Sequence, residues 1–315
     1  MTHAFLARRT APPEPAPQVT IRVLSLESMD GTKRIQLNGS TGWWRMAGST
    51  GLEMPPFEVA LGSAPGVAGA VLQGVRVRER DVFVPMFTAS KTGPVNHLAM
   101  LEQVRGLVDP MVGQFRLVGV TPTSVRELVV IYREGLEGAD GRSESGTYWR
   151  KFGLKATALD PYARDLTDRS VESARASGGR PVIGVVGGSD APFPFALSGA
   201  TVIGSNMQVN VNSSVPVFPV LELVGPMDSF TGSMDTGWSV SVPGGLADGE
   251  TMRLVTDPRS KSIRVNGQLA AGRVARGSVL KPFVPGVNVL NVTAPGATTS
   301  TLLRLSWRAG HRSLW

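Results

Sequence analysis

The side chains best able to do chemistry are few and scattered. Asp248 and Glu250 sit two apart in Gly244-Gly245-Leu246-Ala247-Asp248-Gly249-Glu250, as an acid and base pair could, and Trp238 shortly upstream could offer a flat face to a sugar ring. Glycine-rich sequence just ahead of the strand candidate at Thr251 is also where solvated turn acids belong. Trp238, on the same footing, suits a core. That plainer reading is favoured. Pro181-Val182-Ile183-Gly184-Val185-Val186-Gly187-Gly188-Ser189 reads as a strand running into a glycine loop. It matches neither phosphate-loop pattern, and Asp190-Ala191-Pro192-Phe193-Pro194 bars the helix such a loop requires. His97 has no His or Glu at ligand spacing, so a surface or helix-capping position is expected for it.

Arg76-Val77-Arg78-Glu79-Arg80 alternates, and as a strand it would place three arginines on one face. Such a face could grip phosphates. It could equally be the wet side of a half-buried strand whose arginine stems cover apolar surface, which is favoured because no aromatic-rich strand interleaves with it. The chain has no cysteine and three histidines, His3, His97 and His311, which excludes disulfides, thiol nucleophiles and cysteine-ligated metals. Asn38, Asn212 and Asn291 fit N-x-[ST], a pattern without chemical meaning in a chain that lacks a signal peptide. Catalytic, cofactor-binding and metal residues are therefore assigned to none. The expectation is a protein that is not an enzyme and takes no cofactor.

Net charge is +7 with a pI near 10.2, yet both halves are only mildly basic and neither carries a run of Lys or Arg. No sequence-specific nucleic-acid partner is expected. Met1–Arg9 holds no apolar run of signal-peptide length, and no stretch approaches the ~18 apolar residues of a membrane span. The chain is expected to be made in the cytoplasm, to be soluble and to have no membrane partner. Its 315 residues exceed one ordinary core and suggest two domains. The 37 glycines and 23 prolines, nearly a fifth of the chain, with charged residues at only 18%, suit short strands and many turns.

The elements that must position these side chains follow from periodicity. After a proline-rich arm at 7–17, Val19–Leu26 alternates with period two, and Lys33–Leu37 returns beyond the turn dipeptide Asp30-Gly31. Further strands are expected at Phe57–Leu61, Val71–Arg80, Asp81–Thr88, Gln114–Val120, Val125–Arg133 and Tyr148–Ala158. One helix is expected from Pro94 to Val108, with Leu98, Leu101, Val104, Leu107 and Val108 as its apolar stripe and Asp109-Pro110 as its stop. Residues 1–165 form a first unit closed by Asp160-Pro161-Tyr162-Ala163-Arg164-Asp165, and 166–199 read as a glycine-rich linker. Residues 200–315 carry strands at the short, regular spacing of a β-sandwich: Ala200–Gly204, Gln208–Asn212, Phe218–Val224, Trp238–Val242, Thr251–Thr256, Ser262–Val265, Val287–Thr293 and Thr301–Trp307.

The order of these features resembles a known family. A β-rich first unit with one helix leads through Tyr148-Trp149-Arg150-Lys151-Phe152-Gly153-Leu154-Lys155-Ala156 into Asp160-Pro161-Tyr162. After the linker come Val217-Phe218-Pro219-Val220-Leu221-Glu222-Leu223-Val224-Gly225-Pro226, then Gly249–Asp257, Ile263-Arg264-Val265-Asn266-Gly267 and Phe283–Val292. Over residues 19–308 this ordered set resembles the distal tail proteins of bacteriophages with long, non-contractile tails. The resemblance implies a mainly β fold, with an N-terminal β-barrel-like domain that forms a hexameric ring and a C-terminal galectin-like β-sandwich. It implies a structural virion protein: a hub at the distal tail tip that joins the tail tube to tip and receptor-binding machinery. Its implied partners are copies of itself, the tail tube protein, tail-associated hub proteins and the tape-measure protein, with DNA passing through the bore. The competing expectation is a carbohydrate-binding adhesin acting through the sandwich near Trp238.

Overall fold

The computed structural model describes residues 22–63, 65–66, 68–137, 145–175, 181–186, 202–298 and 300–315, and of 171–175, 181–186 and 202–206 the backbone alone. The proline-rich arm, the start of the first expected strand and the glycine loop at 187–190 lie outside the described residues.

The protein is mainly β, as expected. Its first part runs β1 (Val23–Ser28), β2 (Arg34–Gln36), β3 (Trp43–Arg45), β4 (Phe57–Gly62), β5 (Val71–Val77), β6 (Arg80–Ala89), α1 (Pro94–Val108), β7 (Phe115–Val120), β8 (Val125–Glu134), β9 (Ser145–Gly146), β10 (Trp149–Ala158) and β11 (Ala163–Asp165). Antiparallel pairing in the order β2-β1-β7-β8-β10-β6-β3 makes one large sheet. Its two ends approach each other just beyond β2: the Arg45 amide donates to Leu37 O, the Gly39 amide to Trp43 O, and Asn38 bridges to Trp44. The sheet is thereby rolled into a nearly closed barrel. Alternation along the strands sends Leu24, Leu26, Trp43, Val84, Met86, Phe115, Leu117, Leu128 and Leu154 into one core.

Helix α1 starts at Pro94, which suits a first turn, and stops before Pro110. It packs into the barrel core through His97, Met100, Leu101, Val104, Leu107 and Val108. Leu98, expected in that stripe, is 62% exposed instead. The buried positions advance by three or four residues, and Leu98 stands one residue off, about 100° around the axis.

The second part runs β12 (Arg169–Arg175), β13 (Pro181–Val186), β14 (Val202–Val211), β15 (Val220–Val224), β16 (Phe230–Met234), β17 (Ser239–Val242), β18 (Thr251–Val255), β19 (Ser262–Val265), β20 (Gln268–Leu269), β21 (Gly286–Thr293), β22 (Leu302–Trp307) and β23 (Gly310–His311). A seven-stranded sheet, β13-β12-β22-β15-β18-β19-β20, faces a four-stranded sheet, β14-β21-β16-β17, over a shared apolar core. Within the stretch read as a linker, β12 and β13 are strands of the larger sheet, because β12 finds its partner in the distant β22. Strand β16, unmarked by the sequence reading, also belongs here. Its Gly232 occupies an inward position, under the rings of Phe230 and Trp238. The last residues leave the sandwich: β23 pairs with β11, and Leu314 is fully buried in the barrel core.

Candidate functional site

The structure sends the sequence-level candidates to structural positions. Trp238 is 1% exposed and meets Phe283 edge-on at 5.7 Å, so it is a core side chain and gives the adhesin reading no stacking platform. Glu250 ties its own turn by accepting from the Ala247 amide at 2.9 Å, and it ion-pairs with Arg273 at 3.0 Å. Asp248 accepts from Ser300 Oγ at 3.4 Å. Neither acid is poised as a base.

His97 is buried rather than at the surface. Burial, with the nearby Arg150 charge, holds its pKa below the ordinary imidazole value. Arg76, Arg78 and Arg80 do not share a face, because the strand breaks at Arg78 and Glu79. Arg76 stands opposite Glu58 on β4, Arg78 pairs with Glu79, and Arg80 is fully buried and donates to Arg312 O. Desolvation lowers the Arg80 pKa to about 10, and nearby carboxylates only partly offset it. Among the described residues, no three His, Asp or Glu side chains gather as a metal would require.

An open cleft of about 540 Å³ among β6, β8 and β10 is lined by Thr50, Asp81, Phe83, Tyr132, Lys155 and Thr157 among others. Several of its polar groups are already partnered. Thr157 donates to Asp81 at 2.7 Å, Lys155 pairs with Glu134, and Tyr132 donates to Glu137 at 3.0 Å. It offers shape without an activated group.

What stands out is surface. The β4–β5 hairpin joins neither the barrel sheet nor the sandwich. Its register sets Phe57 against Val77, Val59 against Val75 and Leu61 against Leu72, so six apolar side chains share one face. Glu58, Arg76, Ala60 and Gly74 take the other. Val59, Leu61, Leu72 and Val75 are each more than half exposed. An isolated hairpin is marginal in water, and an apolar strip of this kind marks a contact surface. Near the opposite end of β6, α1 exposes Val95 and Leu98, and the turn beyond it exposes Met111 and Val112. Aromatic rings also coat the outer barrel wall. Trp44, Phe87 and Trp149 form a ladder with centroids 5.4 and 6.0 Å apart, and Lys151 lies over Trp149. The two indoles cover Gly39 and Gly146, where a Cβ would collide with the rings.

A second concentration of polar chemistry joins barrel to sandwich. Asp165 accepts from His311 at 2.8 Å and lies near Arg169 and Arg126. Burial pushes the Asp165 carboxyl up, but the His311 hydrogen bond and the surrounding positive charges outweigh it and hold the group below the usual carboxylate range. Asp160 pairs with Arg164 at 2.9 Å and with Arg259 of the sandwich at 3.0 Å. Trp315 is flanked by the guanidinium groups of Arg22 and Arg45, 5.7 and 5.2 Å from its ring.

No family model matches the chain, and no curated protein matches it by sequence. Solved structures do match. The Dit protein of phage SPP1, described as a paradigm of the hub adsorption apparatus of phages infecting Gram-positive bacteria, superimposes with a TM-score of 0.60 at 13% identity, covering 90% of this chain and 98% of that one. A chain of the phage P2 baseplate in its activated conformation with calcium gives a TM-score of 0.53 at 8% identity over 91% of this chain and 98% of that one. The same baseplate with strontium gives 0.51 at 9% identity over 90% and 97%. The likeness runs nearly end to end through barrel and sandwich alike, so the chain has the fold of phage hub proteins, in line with the resemblance read from its motifs.

Proposed function

We propose that this protein is a structural component of a phage tail: a hub at the distal tip in which copies of the barrel close into a hexameric ring and the sandwiches project outward. The observation that carries this reading is the apolar face of the β4–β5 hairpin, which nothing among the described residues covers. A ring of identical subunits needs two different surfaces on each, one that reaches and one that receives. The hairpin is a reaching element. The receiving surface lies elsewhere on the barrel. Phage hub proteins with this fold support the same placement.

On this reading the ring sits between the tail tube protein and the tip proteins, with the tape-measure protein and then DNA in its bore. The sandwich, galectin-like in this reading, holds the host-attachment machinery. The protein works by contact and catalyses nothing. Light scattering on the purified protein tests the ring: a mass near six chains, alone or after addition of a tail partner, is the expected result. A strict monomer at high concentration, with and without a tail partner, contradicts it. Antibody labelling of intact particles tests the location, and labelling away from the far tip contradicts it.

A further inference from the structure

Barrel and sandwich are joined by a two-stranded crossing, and one arginine fills the irregularity in it. The chain leaves the barrel along β11 and enters the sandwich along β12; it comes back from β22 into β23. The two passes run antiparallel. Ala163 pairs with His311 and Arg164 with Gly310, and the Asp165 amide donates to Ala309 O at 3.0 Å. On the sandwich side, Arg169 pairs with Trp307 and Ser170 with Ser306. Between these ladders Leu166, Thr167 and Asp168 face Arg308 alone. Three residues against one is a bulge, which bends a strand pair and breaks its hydrogen bonding.

The Arg308 guanidinium occupies that break. Its Nε donates to Asp165 O at 3.0 Å and its Nη2 to Leu166 O at 3.2 Å, two carbonyls on the bulged strand. Its Nη1 donates to Glu127 Oε1 on β8 at 2.7 Å, and Asp168 Oδ1 lies 3.3 Å from Nε. Glu127 is almost wholly buried, and its other oxygen takes Arg116 at 3.1 Å. Arg308 thus holds the exposed bulge and a buried barrel carboxylate at once, using the fixed fork that only a guanidinium has. A lysine carries its three donors on one nitrogen, so it cannot spread them as the three nitrogens of Arg308 do over Glu127 and two carbonyls.

We propose that Arg308 is the lock that sets the pose of the sandwich on the barrel, and that the bulge at 166–168 is the hinge that opens when the lock is lost. Other contacts flank the crossing. Arg259 reaches Asp160 from the half-exposed sandwich surface, and Ser213 brackets Gly310. Arg169 also reaches Asp165 across the bulge at 3.5 Å, and the Leu166 amide donates to Val125 O at 3.4 Å, but none of these ties the bulge carbonyls to Glu127 as Arg308 does. The lock lies within one chain and does not depend on whether copies associate.

The absence of cysteine makes a direct test clean. Spin labels at Lys91→Cys, in the exposed segment between β6 and α1, and at Leu269→Cys, which is 75% exposed on the sandwich, report the distance between the two units. Labelled chain is diluted into unlabelled chain so that only distances within a chain are read. The unaltered crossing gives one narrow distance peak. Arg308→Ala abolishes that single peak and yields a broad distribution, while amides of β8, β10, β15 and β22 stay protected from hydrogen exchange. Arg308→Lys, which keeps the charge beside Glu127, falls between the two. Arg259→Ala keeps the narrow peak. A narrow, unshifted peak in both Arg308 variants overturns the proposal, as does equal broadening in Arg259→Ala.

Discussion

The β4–β5 hairpin and the β16–β17 pair of the sandwich are built from the same local pattern, two short antiparallel strands with apolar residues at every second position. They differ in what those residues meet. Phe230, Met234, Val240 and Val242 are buried against the opposing sheet, whereas Val59, Leu61, Leu72 and Val75 face solvent. The contrast extends to the interiors. Among the described residues, the buried polar groups of the sandwich are Thr256, Asn288 and Thr301, all uncharged, while the barrel side buries Glu27, Arg80, His97 and Glu127. The sandwich buries no charged group among the described residues. The barrel carries charge in its interior and, among the described residues, leaves an apolar face uncovered, which is the mark of a contact surface.

Parallel truncations sharpen that comparison most strongly. Trp238→Ala removes a fully buried aromatic and is expected to cost about 3–5 kcal/mol of sandwich stability by denaturant titration. Leu61→Ala, at 62% exposure on the hairpin, is expected to leave the melting of dilute protein within about 0.5 kcal/mol. A large loss from Leu61→Ala in dilute protein would mean that the hairpin face is already covered within the chain.

Association reverses the ranking. Leu61→Asp combined with Val75→Asp withdraws two half-exposed apolar side chains, together about 2 kcal/mol of burial, and is expected to weaken self-association roughly 30-fold by sedimentation. An equal loss from substitutions on the outer face of the sandwich would break the comparison.

Mild acid is expected to act on the barrel first. The pKa of His97 is depressed in the folded state by burial, so its contribution to stability is present above the unfolded value of about 6.5 and is lost as pH falls below it. Melting of the barrel should therefore drop more steeply between neutral and mildly acid pH than melting of a His97→Gln variant, and the sandwich should not follow. Identical slopes for the two chains would remove His97 from the account. Arg259→Ala takes away a half-exposed ion pair with Asp160 and is expected to cost at most about 1 kcal/mol.

Local signals made much of this fold readable, and long-range ones hid the rest. Pro94 and Asp109-Pro110 bracket α1 in the sequence itself, and alternation along Phe115–Val120 and Leu302–Trp307 marks strands without outside help. Strands β12 and β23 have no such mark, because their partners, β22 and β11, stand far away in the chain. Trp238 as platform and Trp238 as core are the same letter, and only Phe283 beside it decides between them. Arg76 and Arg80 look alike in an alternating run, yet a strand break sends one to the hairpin surface and the other into the interior. Both strands of the hairpin are marked in the sequence, but their pairing and the exposure of their shared apolar face are tertiary facts.

Hydrogen exchange across residues 57–77, followed as protein concentration is raised, tests most directly whether copies of this chain cover that face. Weak protection is expected in dilute protein, with strong protection appearing together with the larger mass. Protection already complete in the monomer, or an assembled particle in which these amides still exchange freely, would contradict that expectation.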